Sequence, residues 1–234
     1  MSDHRTDAPF CIVFAIYPGM THLDFTGPHQ ILSQMPNSET IVASVSGGDI
    51  DADGLTFGTT RKLGDIPACD LICVPGGLPA TRVALDETYL AQLKRLAADA
   101  RYVTSVCNGS LILGAAGLLK GKRAACHWGF RDLLPLFGAI PDQGRVVRDG
   151  NIITGGGVTA GIDFALTVLA EVAGEHVAQT IQLIFEYAPE PPFNAGRLET
   201  APADVAAQCQ AMMATLVGQR RAEAEAAAAR MSAG

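Results

Sequence analysis

Short unbroken apolar runs alternate with longer amphipathic segments along most of this chain. Phe10 to Tyr17, Glu39 to Val45, Leu71 to Val74 and Tyr102 to Val106 are apolar or β-branched runs of strand length. Leu55 to Gly58 reads as a weaker strand. Between them lie helical patterns. Pro28 suits the first turn of a helix capped by Thr26 and ending near Gln34. Asp86 to Ala98 carries Leu90, Leu93 and Leu96 on one face, and Ser110 to Leu119 is rich in Leu and Ala. A short segment at Arg123 to Cys126 precedes a predicted helix from about Gly129 to Leu136. Asp149-Gly150 is a hairpin signal between Arg145–Arg148 and Asn151–Thr154. Gly155-Gly-Gly157 then opens an apolar helix, Gly161 to Val172, and a further helical stretch runs from His176 to Tyr187. Strands alternating with helices predict an α/β fold, a mostly parallel sheet with helices on both faces.

The pattern changes after Pro189. A Pro-rich connector reaches Gly196, and an alanine-rich helix starts near Thr200-Ala-Pro202, giving a C-terminal helical extension over about 198–231. Two readings of this extension stand level, a solvated helix lying on its own domain and a helix that helps a dimer form. There is no internal repeat and no sign of a second domain, so residues 1–234 are read as one domain with that extension.

Composition narrows the classes. The chain has 234 residues, 48% of them hydrophobic, and a net charge of -7. No basic stripe marks a nucleic-acid partner. Six cysteines in a chain of this length do not make a disulfide framework. The first seven residues lack the basic and apolar regions of a signal peptide, and no apolar run reaches membrane-spanning length. These features predict a cytoplasmic protein that works without nucleic acid or membrane.

The candidate chemistry centres on Cys107. It falls where the Tyr102–Val106 strand meets the following helix, with the small residues Asn108-Gly109-Ser110 after it. That is the layout of a nucleophile elbow, a strand-to-helix turn that presents one side chain. A helix N-terminus there favours thiolate, so Cys107 is expected to be the most reactive of the six thiols, exposed at its elbow. The competing reading is a packed structural cysteine. Gly76 and Gly77 end the Leu71–Val74 strand, and paired glycines can point backbone N–H groups at developing negative charge. Strand C-terminal ends gather at one crevice in such sheets, which would bring that pair beside Cys107. Asp24 is placed in the loop after the first strand, either as proton donor or as a helix cap. His127 reads either as the base of a Cys–His pair or as a packed histidine, and His22 and His29 carry the same ambiguity. Cys69 and Cys73, on one strand, would stand about 13 Å apart, too far to share an ion, so no metal is expected. Gly155-Gly-Gly-Val-Thr-Ala160 fits a dinucleotide fingerprint, but it comes late in the chain and its helix leads into another helix. It is read instead as a tight turn that packs close to the elbow, and no cofactor is expected.

Several segments together carry a resemblance. Leu23-Asp-Phe-Thr-Gly-Pro28, Ile72-Cys-Val-Pro-Gly-Gly77, Ala100 to Cys107, Ala115 to Leu119, Thr154 to Leu166, Glu186-Tyr-Ala-Pro189 and Pro191 to Gly196 occur in family order over nearly the whole chain. On these segments the chain resembles bacterial isocyanide hydratases, of the PfpI-like, class I glutamine-amidotransferase-like superfamily. The resemblance implies a flavodoxin-like three-layer α/β sandwich, a homodimer, and hydration of a small-molecule isocyanide to an N-substituted formamide without metal or cofactor. It assigns Cys107 as the nucleophile and Asp24 as the partner that bonds the thiolate and relays protons. It brings the loop and helix starting at Gly155 up to the nucleophile, with the Val158 carbonyl near the sulfur. Gly76, Gly77, Asn108, Gly156, Val158 and His127 are together the expected substrate and oxyanion surroundings. Asn108 departs from the threonine of the best-known relatives. A glyoxalase-like or deglycase-like enzyme and a sensor domain related to transcription regulators are the alternatives. The former relatives more often carry glutamate in the role given to Asp24, and a sensor's DNA-binding half would need a basic recognition helix that the C-terminal segment lacks.

Overall fold

The computed structural model of the chain describes residues 8–233, so the seven N-terminal residues read above for targeting lie outside the described residues. The four central strands are β1 (Phe10–Ala15), β5 (Leu71–Val74), β6 (Tyr102–Val106) and β10 (Ile152–Gly155). Their side chains are buried almost without break, as expected for strands covered on both faces. They join β2 (Ser38–Ser44), β3 (Gly48–Ala52), β4 (Leu55–Lys62) and β9 (Val146–Asp149) in one eight-stranded sheet of order β3-β4-β2-β1-β5-β6-β10-β9. The five pairings from β4 to β10 are parallel, and the outermost pairs, β3–β4 and β10–β9, are antiparallel. A second, minor pair joins β7 (Arg123–Ala124) to β8 (Ile140–Pro141).

The helices fall into two packed groups flanking the sheet. In one, α1 (His22–Leu32) packs on α5 (Ala160–Ala173), which packs on α6 (Glu175–Ile184). In the other, α2 (Ala80–Val83) and α3 (Glu87–Asp99) contact α4 (Gly109–Ala115), and the long α7 (Ala203–Ala233) lies across α2 and α4. Asp86 caps α3 by accepting the Tyr89 N–H at 3.0 Å. The last third of α7 reaches the main core through Ala224, Ala227 and Ala228, spaced one turn apart. Glu223 anchors it, accepting the Thr81 hydroxyl at 2.6 Å beside Arg82 and Arg220.

Five local readings change. The first helix starts at His22, not at Pro28, and Pro28 sits inside it. Pro28 costs one helical N–H there, and its ring packs within about 3 Å of where a Cβ on Gly161 would stand, which ties α1 to α5. Asp24 therefore lies in the first turn of that helix rather than in a loop. The β3 strand, paired through the Asp53-Gly54 turn, was not expected. The segment expected as a helix from Gly129 is a 3-10 helix over Arg131–Phe137, holding Pro135 and ended by Gly138 in the left-handed region. The helix after the elbow stops at Ala115, because Gly117 turns the chain with φ 76°.

Candidate active site

The C-terminal ends of β1, β5, β6 and β10 meet at one edge, and every element of the site hangs from them. Cys107 follows β6 directly with φ 59°, a left-handed conformation that costs a non-glycine residue about 1–3 kcal/mol. The turn is held by its neighbours. The Cys107 N–H donates to both Gly155 O at 3.0 Å and Gly156 O at 2.8 Å, so the turn after β10 packs against the elbow. Ser110 Oγ donates to Cys107 O at 3.2 Å. The elbow also needs Gly109, since a Cβ there would stand 2.4 Å from Val74 O. The Gly155–Gly157 turn thus serves the elbow, and it leads through α5 into α6 rather than into a strand.

Burial decides the state of the thiol. Cys107 is only 5% exposed, not exposed as expected. Its pKa is pushed well up, first by burial and then by the neighbouring Asp24 carboxylate and the Cys126 thiol; the Asn108 backbone N–H pulls it back only partly. The helix behind the elbow is short, since α4 has seven residues, and the raised thiol pKa follows from burial first and from Asp24 second.

That acid is Asp24, fully buried in the first turn of α1. Its Oδ2 accepts the Gly76 N–H at 3.0 Å, while Oδ1 makes no hydrogen bond. Burial raises its pKa to about 7, against the opposing pull of the Cys107 thiol and the Gly76 N–H and with a further push from Asp53. Thiol and carboxyl group are adjacent and titrate as a pair, which passes from two protons to one as pH rises through about 7.

The glycine pair is present but not free. The Gly76 N–H is spent on Asp24, and the Gly77 N–H donates to Asn108 Oδ1 at 2.7 Å. The expected open oxyanion donors are therefore occupied in this state, because two buried side-chain acceptors have claimed them. Asn108 Nδ2 in turn donates to Gly77 O at 3.0 Å, so its amide is turned to the backbone, not to open space. Gly156 donates its N–H to Arg145 O at 2.9 Å. The Val158 carbonyl accepts the Gly161 N–H at 3.2 Å in the first turn of α5. His127 lies over Gly157, with Nδ1 accepting the Gly129 N–H at 3.2 Å and its ring stacked on Trp128. Burial lowers its pKa, and no hydrogen bond joins it to Cys107 among the described residues. His29 packs between Phe14 and Phe25, and the His22 backbone N–H donates to Asp53.

Tyr17 was missed in the sequence. It is buried at the end of β1 and donates from Oη to Pro75 O at 3.0 Å, bracing the turn that carries Gly76. A tyrosine ending a buried strand, just before Pro18-Gly19, was the available signal. Among the described residues no group of three or more His, Cys, Asp or Glu side chains is placed to hold a metal ion, and no helix is long and apolar enough to cross a membrane.

The chain as a whole, with this site in it, is similar to known proteins. The DJ-1/PfpI family profile matches residues 11–171. The chain belongs to the DJ-1/PfpI family. It is 47% identical over 222 residues to the isonitrile hydratase of Pseudomonas putida, covering 94% of this chain and 97% of that one. The crystal structure of a ThiJ/PfpI family protein from Pseudomonas syringae superposes with a TM-score of 0.88 at 42% identity, covering 97% of each chain. An HTH-type transcriptional regulator of Pseudomonas aeruginosa is 30% identical over 58% of this chain, which accounts for 41% of the regulator. The observed sheet, flanked by helices, is that of the flavodoxin-like fold of this family.

Proposed function

We propose that this protein is an isocyanide hydratase, a cofactor-independent lyase acting through Cys107 and Asp24. The observation that carries the chemistry is Asp24 itself: a fully buried carboxyl group with one oxygen free of hydrogen bonds, beside a thiol in a strained elbow. Such a pair can deliver one proton and one electron pair to the same atom. The terminal carbon of an isocyanide needs both. The Cys107 sulfur forms a bond to that carbon, and the proton shared with Asp24 passes to the carbon, leaving a thioimidate, R–N=CH–S. Water then adds to the same carbon as Asp24 takes one of its protons and passes it to the nitrogen. The C–S bond breaks as the remaining hydroxyl proton returns to the Cys107–Asp24 pair, and an N-substituted formamide is released. Atoms balance as one isocyanide plus one water, and no redox partner is needed.

Similarity to the P. putida isonitrile hydratase over almost the entire chain supports this reading. The site roles are supported by geometry: Asp24 and Cys107 as the reacting pair, Asn108 supplying a backbone N–H toward the sulfur, and the Gly156 carbonyl fixing the elbow. A single domain with a helical extension fits one apolar core running from β1 to Ala228. A homodimer is supported by the exposed apolar side chains Leu183, Ile184, Phe193, Val205 and Met212, all within one stretch of 30 residues. All six cysteines are free, in keeping with a reducing compartment such as the cytoplasm.

The test is formamide production from an aryl isocyanide by the purified protein, with methylglyoxal loss measured alongside. Formamide formation that Cys107→Ala reduces to the uncatalysed rate is the expected result. Methylglyoxal consumption without formamide would assign the other enzyme class.

A further inference from the structure

Asn108 spends both ends of its side chain on one backbone residue. Its Oδ1 accepts the Gly77 N–H at 2.7 Å and its Nδ2 donates to Gly77 O at 3.0 Å. Although it stands at the N-cap position of α4, it makes no side-chain cap there. At 2% exposure neither bond can be replaced by water at low cost.

Gly77 is the second half of the turn that faces Asp24. The preceding residue, Gly76, gives its N–H to Asp24 Oδ2 at 3.0 Å, and its carbonyl accepts the Thr21 N–H at 3.0 Å. Space is short on every side. A Cβ on Gly76 would stand 2.4 Å from Asn108 Oδ1 and 2.8 Å from Asp24 Oδ2. One on Gly77 would stand 2.7 Å from the Thr21 nitrogen. The turn is thus gripped between the first turn of α1 and the elbow, and the elbow's grip on it is the Asn108 amide.

We infer that the Asn108 carboxamide is a positioning residue, a two-point clamp that holds the Gly76–Gly77 turn so that the Gly76 N–H stays aimed at Asp24. The clamp acts through the backbone; its amide does not touch the reacting carbon. It requires a donor and an acceptor about two bonds from Cβ, which asparagine has and a lone hydroxyl lacks. A threonine hydroxyl also donates and accepts, but from one atom a bond closer to the backbone, so it is expected to hold the Gly77 N–H and C=O less well than the two ends of the amide do. The clamp also occupies the Gly77 N–H, so with the Gly76 N–H on Asp24 the glycine pair offers the site no free donor. The role given to Asp24 rests on the reading as an isocyanide hydratase; the clamp itself does not.

The experiment separates the two. The Asp24 carboxyl group is titrated by ¹³C NMR in the resting protein, without substrate, for the wild type, Asn108→Thr and Asn108→Ala. The groups that face Asp24 are Tyr17 at the end of β1, Asp53 in the β3–β4 turn, Cys73 on β5, Cys107 at the elbow and Cys126 after β7, and none of them is altered by the substitution. Loosening the Gly76 N–H removes a donor that holds the carboxylate form, so the midpoint is expected to rise by roughly one on the pH scale in Asn108→Ala and by less in Asn108→Thr. Formamide turnover is expected to fall about tenfold in kcat with KM little changed, and the acid limb of kcat/KM to move with the NMR midpoint. An unchanged Asp24 midpoint in a folded Asn108→Thr protein would overturn the clamp. A shifted midpoint in a protein that does not hydrate isocyanides would uphold the clamp and sink the hydratase reading. Should Asn108→Ala not fold, Asn108→Thr alone decides.

Discussion

The elbow edge and the stretch from Leu183 to Met212 are opposite solutions to the placement of side chains. At the elbow, polar groups are buried: Asp24, Asn108 and Ser110 are each 2% exposed or less, and the backbone groups around them are nearly all engaged. In the later stretch, apolar groups face water: Leu183 is 80% exposed and Phe193 is 79% exposed. The first arrangement is costly in desolvation and strain, and it is stable because several neighbours fix each group. The second leaves apolar surface that one chain does not cover. The contrast shows what each region leaves unsatisfied. At the elbow edge the buried side-chain atoms Asp24 Oδ1 and Ser105 Oγ have no hydrogen-bond partner among the described residues; in the later stretch it is apolar side chains that their own chain leaves uncovered.

The largest effect is expected from breaking the elbow's acid. Asp24→Asn should lower isocyanide turnover by about 10²–10⁴, the usual contribution of a positioned acid or base. In the wild type, kcat/KM should rise as pH climbs through about 7, the Asp24 value, as the doubly protonated pair gives way to the pair holding one proton. That limb should be absent in Asp24→Asn. Retention of both the rate and the limb would remove Asp24 from the mechanism and turn attention to His127.

Next comes the exposed stretch. Leu183→Asp combined with Ile184→Asp should raise the dimer dissociation constant roughly 10²- to 10³-fold, as expected when two buried apolar anchors become charged. Sedimentation at micromolar concentration should then report one 24.4 kDa chain, against a dimer for the wild type. A wild type that is monomeric at that concentration would show that this apolar stretch meets water and not a second copy of the chain.

Much of this contrast was legible in the residues. The strands that build the sheet are unbroken apolar runs, because parallel strands are buried on both faces, and Leu71–Val74 and Tyr102–Val106 matched residue for residue. Cys107 was visible from local order alone, strand then small residues then helix. Asp24 was placed in the right neighbourhood but on the wrong element, because Pro28 reads as a helix start while its real constraint is a tertiary contact with Gly161. The burial of Cys107 and the engagement of Gly76 and Gly77 were not legible. They depend on which side chain from 31 or 52 residues away reaches each N–H, and no local pattern encodes that. The same holds for Tyr17, whose hydroxyl partner lies 58 residues on.

The expected reactivity order of the thiols follows from the same contrast and reverses the one drawn from sequence. Cys209, on the exposed part of α7, should be alkylated by iodoacetamide at least about tenfold faster than Cys107, whose thiol is buried and held protonated. Peptide mapping after brief treatment at pH 8 would check it. Faster labelling of Cys107 would mean that the elbow opens in solution far more often than its packing indicates.

The last effect is in stability, and its sign depends on pH. Asp24 has a folded pKa of about 7 against an ordinary value of 3.8, so the folded state keeps a proton that the unfolded chain gives up. Below about pH 4 both states are protonated and Asp24 carries no titration penalty. Between about 4 and 7 the unfolded state ionises first, so the wild type loses stability as pH rises, and above 7 the loss is complete. A gap of about three on the pKa scale sets the upper limit of that loss at about 4 kcal/mol. Asn cannot titrate, so Asp24→Asn escapes it, but leaving its NH2 group unpaired costs about 1–3 kcal/mol at every pH. The variant should therefore be the less stable protein near pH 4 and the more stable one near pH 8, with the two curves crossing in between. Urea melts at those two pH values would test the crossing. Parallel curves would mean that Asp24 titrates in the folded protein as it does in the unfolded chain, and that the buried pair holds its charge without the strain that the elbow implies.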